Sequence, residues 1–343
     1  MSNESHPHKA LGAPSDPLRP ARLDEFVGQP EVSRELGIIV SAAVGRDQLP
    51  DHLLLVGPPG TGKTTLAHIV AAEAGVPLVT TSGPALERPG DLAGLLTRLG
   101  GPSVVFIDEI HRLPRAVEEA LYPAMEDQVL DLVIGDGAAA RPLRLPLSPF
   151  CLVGATTQAG LLAAPLRDRF GFTARLRPYS ADALAHIVSR SAVLLDTELA
   201  YGAAAEIAGR SRGVPRVANA WLRRVRDWAQ VHDQAPVTAE LAARALDEFG
   251  VDRLGLDAMA RAILEAVCVT FRGGPVGLNA LAATVGEAPE TVEVVYEPYL
   301  ARLGFLARTP RGRVATDAAY AHLDLSPATG QPDRTRDDAG RHP

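Results

Sequence analysis

GPPGTGKTT, residues 57–65, is the stretch on which the reading of this chain turns. Gly57, Gly60 and Gly62 let the backbone curl until successive N–H groups point at one anion. Lys63 then reaches the β- and γ-phosphates of a nucleoside triphosphate, and the Thr64 hydroxyl stands where it can ligate Mg²⁺. LLLVG (53–57) reads as a buried strand, and KTTLAHIVAAEAG (63–75) carries apolar residues at helical spacing, so the phosphates face a helix N-terminus. Lysine usage agrees. Lys63 is one of two lysines among 34 basic residues, a choice that suits a compact ammonium among phosphate oxygens better than a planar fork. A nucleoside triphosphate with Mg²⁺ is the expected ligand.

Working outward, 343 residues with 46% hydrophobic and 22% charged side chains are enough for several globular domains. A net charge of −7 excludes a wholly basic nucleic-acid binder, although local basic patches still attract phosphates because screening makes fields short-ranged. Cys151 and Cys268 lie far apart in apolar runs and read as buried thiols, which fits a reducing compartment. The nine His are scattered without zinc spacing. With no apolar run of membrane-spanning length and a polar N-terminus, the protein is expected to be cytoplasmic, with no membrane partner.

Strand-like runs at 53–57, 77–83, 103–108 and 150–157 alternate with helical stretches, which predicts βαβ units and a parallel sheet over 18–180. From 181 to 252 the pattern is helical only, a small lid-like domain. Residues 253–325 read as three helices followed by the short strands FLART and RVAT, the order of a winged helix. The segments 1–17 and 326–343, rich in Pro, Gly, Ser and charge, are expected to be disordered.

A phosphate loop alone says nucleotide binding, and VVFIDEIH (104–111) adds hydrolysis. Its strand ends in Asp108, which would hold Mg²⁺ through water, and Glu109, which would orient or deprotonate the attacking water. Thr157, after the strand ending GATT, is a candidate γ-phosphate sensor at the carboxyl edge of the sheet. In APLRDRFGF (164–172), Arg167 and Arg169 form either a solvated charge cluster or an arginine completing a neighbour's site. Arg216, opening a helix in GVPRVAN (213–219), could reach back onto the γ-phosphate. The stretch 129–147 alternates like a hairpin turning at Asp136-Gly137, its apolar stripe serving either core or contact. Arg302, Arg308, Arg311 and Arg313 follow one another between Tyr299 and Thr316 with no acid, a basic wing suited to sequence-tolerant phosphate contact.

The set resembles the AAA+ ATPases. The strings RPARLDEFVGQ (19–29), TSGPALERPGDLAGLL (81–96), DEIHRLPRAVEEALYPAMED (108–127), GATTQAGLLAAPLRDRFG (154–171) and RTPRGR (308–313) are similar to the RuvB family, the Holliday-junction branch-migration motors. That resemblance covers nearly all of 18–323. It implies a P-loop α/β AAA+ core, an all-α lid and a C-terminal winged helix. Leu18 and Arg19 would border the adenine pocket; Gly60, Lys63, Thr64 and Thr65 would hold phosphates and Mg²⁺; Glu126, Asp127 and Gln128 fall at nucleotide-contact positions. It also implies Tyr179 beside the nucleotide, Arg216 as the lid's sensor and Arg169 as the finger acting on a neighbour, hence a homohexameric ring. By the same resemblance the hairpin, at Leu132 and Ile134, docks RuvA. Arg308 and Arg313, with Arg311, would contact double-stranded DNA and four-way junctions, and a junction resolvase is a further partner.

A clamp-loader-like or adaptor switch, controlling protein binding without processive motion, is the competing reading; Glu109 and the basic wing favour the motor. A DExH helicase would need a second RecA-like domain where this chain turns helical. The chain departs from the family pattern at Gln158, where an Arg is usual, in ALERPG and LPRAV, and in LDAMARAIL, which lacks the usual charged pair.

Overall fold

A computed structural model describes residues 16–134 and 141–326. The segments expected to be disordered, except Asp16, Pro17 and Ser326, and the turn at Asp136-Gly137 lie outside the described residues. The chain falls into two compact units that divide between Ala245 and Leu246.

In the first unit, α1 (Pro30–Gly45) precedes β1 (Leu53–Val56), α2 (Lys63–Glu73), β2 (Leu78–Ser82), α3 (Pro89–Leu96), β3 (Ser103–Asp108) and α4 (Arg115–Asp127). The hairpin β4 (Val129–Ile134) and β5 (Arg141–Pro146) follows, then β6 (Phe150–Thr156), α5 (Ala164–Arg167) and β7 (Phe172–Arg175). Five parallel strands run in the order β2-β3-β6-β1-β7. Successive side chains of a strand point to opposite faces, and helices cover both. Leu54, Val56, Val105, Ile107 and Leu152 pack on one face against α3 and α4. Leu53, Leu55, Val104, Phe106 and Val153 pack on the other against α1 and α2. The four strands read from the sequence are present. β7 was not read, because FTAR is a four-residue edge strand with one buried side chain, Ala174.

The same unit continues through α6 (Ala181–Leu194), α7 (Ala203–Gly209) and α8 (Pro215–Val231), and α9 (Ala239–Glu248) runs across the division after Ala245. Ser180 caps α6 by accepting from the Ala183 N–H at 3.2 Å. α7 begins only at Ala203, because Gly202 turns the chain at φ 85°.

In the second unit, α10 (Ala258–Glu265) runs on through a π segment, Ala266–Thr270, before α11 (Leu278–Val285). α12 (Pro289–Thr291) and α13 (Glu297–Arg302) flank another π segment. The wing is β8 (Leu306–Thr309) antiparallel to β9 (Gly312–Ala315), closed by α14 (Asp317–His322). Ile263, Val267, Leu281, Val292, Leu300 and Phe305 form its core. Val276 exchanges backbone hydrogen bonds with Arg313 at 2.8 and 2.9 Å, pinning the wing to the turn before α11. At Gly312, φ 135°, a Cβ would stand 2.4 Å from the Val276 carbonyl oxygen, so only glycine lets the strands approach there.

Candidate nucleotide site and phosphate-contact surface

The first unit contains a cavity of about 300 Å³ between the phosphate loop, the segment before α1 and the helices α6 and α8. Leu18, Arg19, Gly60, Gly62, Lys63, Thr64, Thr65, Asp108, Glu109, Thr157, Tyr179 and Arg216 all line it. Gly57 does not. A Cβ there would meet the Leu176 carbonyl at 2.7 Å, so this glycine serves the close approach to the chain leaving β7.

The loop takes left-handed backbone at Gly60 (φ 77°) and Gly62 (φ 105°), and α2 starts at Lys63. Lys63 is buried, and its ammonium donates to the Gly57 and Pro58 carbonyls at 2.7 and 2.9 Å. Burial lowers its pKa to about 8, with Asp108 and Glu109 opposing the shift and Arg216 adding to it. Asp108 ends β3 and receives the Glu109 N–H at 3.0 Å. Glu109 itself is left-handed (φ 49°), an uncommon conformation for a side-chain-bearing residue. Gly83 permits it, since a Cβ there would lie 2.4 Å from the Glu109 carbonyl oxygen. The Glu109 carboxylate rests on Arg112 at 3.0 Å, each about half-exposed.

Tyr179 donates its hydroxyl to the Thr61 carbonyl at 3.0 Å, and burial raises its pKa. Its ring lies against Gly28, where a Cβ would be 2.3 Å away. Arg216 opens α8 with its backbone N–H toward the Gly60 carbonyl at 3.4 Å, so the helical layer touches the phosphate loop directly. Thr64 and Asp108 bring hard oxygen donors to the cavity, a set that fits Mg²⁺.

Sequence reasoning missed Asp16, Phe26, Ile187, Arg190, Asn219 and Arg223, all on the cavity wall. Arg223 pairs with Asp16 at 3.0 Å, and Arg190 joins the Leu18 carbonyl at 3.1 Å to Glu25 at 3.3 Å. These ties hold the segment before α1 against α6 and α8. A signal was available in α8, where Arg216, Asn219 and Arg223 recur at i, i+3 and i+7 on one face.

Four expected contacts lie outside this cavity: Glu126, Asp127, Gln128 and Arg169. Arg169 Nη2 meets Glu126 at 3.0 Å, its Nη1 donates to the Pro165 carbonyl at 2.6 Å, and its guanidinium sits 4.4 Å above the Tyr122 ring. Gln128, left-handed at φ 54°, ends α4 and sends the chain into the hairpin. Arg167 stands 4.0 Å from Asp168.

The hairpin register pairs Leu130 with Leu145, Leu132 with Leu143 and Ile134 with Arg141. Burial falls along it: Leu130 is fully buried and Leu147 buried, whereas Leu143 is exposed. Its base is core, and Leu143 further out is at the surface.

In the wing, the count of four arginines without an acid breaks down in three dimensions. Glu297 on α13, buried, receives Arg308 at 2.5 Å and both Nε and Nη2 of Arg313 at 3.1 and 3.0 Å; Glu293 adds longer contacts at 3.7 and 3.6 Å. Both acids precede the window in which the arginines were counted. Arg311 is exposed at the tip, and Arg308 is 54% exposed against 15% for Arg313.

A nucleotide cavity closed on one side by a helical layer whose own arginine meets the phosphate loop is the arrangement of the AAA+ ATPases, and this chain is one. Residues 18–176 match the P-loop domain of the Holliday junction DNA helicase RuvB, 179–252 the RuvB AAA lid domain and 253–324 the RuvB C-terminal winged helix domain. The Holliday junction branch migration complex subunit RuvB of Cutibacterium acnes is 57% identical over 310 residues, 90% of this chain and 91% of that protein. Among solved structures, the Thermotoga maritima RuvB Holliday junction branch migration motor is 47% identical with TM-score 0.82, covering 90% of this chain and 99% of that one. A point mutant of the same protein reaches TM-score 0.84 at 47% identity and the same coverage. The chain belongs to the RuvB family. Among the described residues, no helix is long and apolar enough to cross a membrane.

Proposed function

We propose that this chain is an ATP-driven double-stranded DNA translocase that powers branch migration of four-way junctions, working as a homohexamer with RuvA in the cytoplasm, a junction resolvase being a further partner. Residues 18–180 form the motor core, 181–252 the lid and 253–325 the DNA-holding module. The observation that carries the reading is a division of the catalytic set. Lys63, Asp108, Glu109, Thr157 and Arg216 share one cavity, while Arg169 faces elsewhere on the same unit.

Backbone N–H groups of 57–65 and the Lys63 ammonium bind the phosphates, in place of the carbonyls that Lys63 now contacts. Thr64, and Asp108 through water, would hold Mg²⁺, which would neutralise phosphate charge. Leu18, Arg19 and Tyr179 enclose the base and sugar, and Thr65 adds a hydroxyl to the phosphate end. Glu109 orients the attacking water and accepts its proton once its carboxylate leaves Arg112. Thr157 and Arg216 report the γ-phosphate, so hydrolysis loosens the lid and changes the grip of the winged helix on DNA. Arg169, with Glu126, Asp127 and Gln128, completes the pocket of the adjoining protomer. Leu132 and Ile134 serve the RuvA contact, and Arg311 with the exposed part of Arg308 the DNA phosphates, Arg313 being held by Glu297.

ATP turnover with and without a four-way junction and RuvA tests this. Glu109→Gln is expected to bind ATP but not hydrolyse it, and Arg169→Ala to lose about a thousandfold in turnover. Mixing Arg169→Ala with Lys63→Ala subunits is expected to restore part of the activity, because some interfaces then unite an intact loop with an intact arginine. Full turnover by Arg169→Ala alone would refute the shared site.

A further inference from the structure

The face of α4 turned away from the sheet carries Glu118, Tyr122 and Glu126 at i, i+4 and i+8, one above the other. All three meet the segment that carries Arg169. The Glu118 carboxylate accepts the Ala163 N–H ahead of α5, the Tyr122 ring lies under the guanidinium at 4.4 Å, and Glu126 meets Nη2 at 3.0 Å. The Pro165 carbonyl takes Nη1 at 2.6 Å, and the buried Nε has no hydrogen-bond partner among the described residues.

An arginine side chain left to itself spreads over many rotamers, and one aimed at a neighbour's phosphate has to be pre-set. The contacts divide that task. Glu126 is 54% exposed, and an exposed carboxylate holds a guanidinium only weakly, so a phosphate offering charge-assisted bonds displaces it. Tyr122 packs with the buried core on one side and presents its face to the guanidinium on the other, so it stays when the carboxylate is exchanged.

We infer that Tyr122 is a positioning residue for Arg169: its ring is the fixed seat on which the guanidinium turns from Glu126 to the γ-phosphate of the adjoining protomer. The inference rests on the reading of Arg169 as an arginine acting across protomers.

The test uses full-length protein with ATP and junction DNA. Tyr122→Leu removes the ring, Tyr122→Phe keeps it, and Tyr122→Gln is the second ring-free variant if Leu disturbs α4. Tyr122→Leu is expected to bind a fluorescent ATP analogue within about twofold of the parent while turnover falls on the order of tenfold or more, in kcat rather than KM. Tyr122→Phe is expected to stay within about threefold of the parent turnover. Mixed with Lys63→Ala, Tyr122→Leu subunits should regain turnover that neither has alone, which a collapsed subunit could not do. Equal losses in Phe and Leu, parental turnover in the ring-free variants, or no recovery on mixing would overturn the inference. Arg169→Ala, run in parallel, separates the two ideas: if it alone loses turnover, the seat is refuted and the shared site stands; if it keeps full turnover, the shared site itself is refuted.

Discussion

Under the proposed function the chain offers basic side chains to phosphate in two places, and it holds them in opposite ways. In the nucleotide cavity Lys63 is buried, and its hydrogen-bond acceptors are the Gly57 and Pro58 carbonyls of its own loop. In the wing, Arg308 and Arg313 are gripped by the buried carboxylate of Glu297, with Arg313 taken through two nitrogens. Neutral carbonyls are readily exchanged for a phosphate; a buried carboxylate that meets two guanidiniums is not, because it would be left charged and desolvated. Burial therefore marks the working cation in the first region and the structural one in the second. Under the proposed function, the contrast gives the DNA contact to the outer face of the wing, Arg311 and the exposed part of Arg308.

The sharpest way to break the comparison is to put the wing's residue type into the cavity. Lys63→Arg keeps the charge but sets a planar fork where a single ammonium fits between two carbonyls, and turnover is expected to fall about a hundredfold in an ATPase assay. A variant within tenfold of the parent would mean that the cavity is not selective for shape and that its rarity of lysine carries no information. The second effect lies in the wing. Glu297→Gln removes the one charge that two arginines share in a buried position, and a loss of about 2–4 kcal/mol in unfolding free energy is expected by urea denaturation, discounted for the exposure of Arg308. Unchanged stability would show that the three-residue cluster is not structural.

The difference also explains what could be read beforehand. The phosphate loop was legible because its partners are within six residues and its glycines set the geometry, and Asp108 and Glu109 because a single apolar strand delivers them to its end. Arg190, Arg223 and Asp16 were not, since each gains its role from an ion pair bridging 165 or more positions of sequence. Glu293 and Glu297 stand just upstream of the wing, yet a charge count along the chain put them outside the basic run; only the fold shows them beneath it. β7 escaped because a short edge strand needs little apolar surface. The hairpin was legible as two alternating strands. The division of its stripe into a buried base at Leu130 and an exposed outer part at Leu143 depends on α4 and the sheet, which pattern alone does not supply.

The smallest effect separates the two kinds of wing arginine. Arg311 is at the exposed tip, so Arg311→Ala is expected to leave stability within about 0.5 kcal/mol while the slope of log affinity for duplex DNA against log salt becomes shallower by about 0.9, one released counterion. Arg313→Ala removes a side chain that is 15% exposed and held through two nitrogens, so it is expected to lower the unfolding midpoint and leave that slope nearly as it was. The measurement is a salt titration of duplex binding by each full-length variant, with urea denaturation beside it. If instead Arg313→Ala flattened the slope and Arg311→Ala did not, Arg313 would have to leave Glu297 on meeting DNA. The buried carboxylate would then be a competitor for phosphate, as the Gly57 and Pro58 carbonyls are for Lys63, and the two regions would work by one principle.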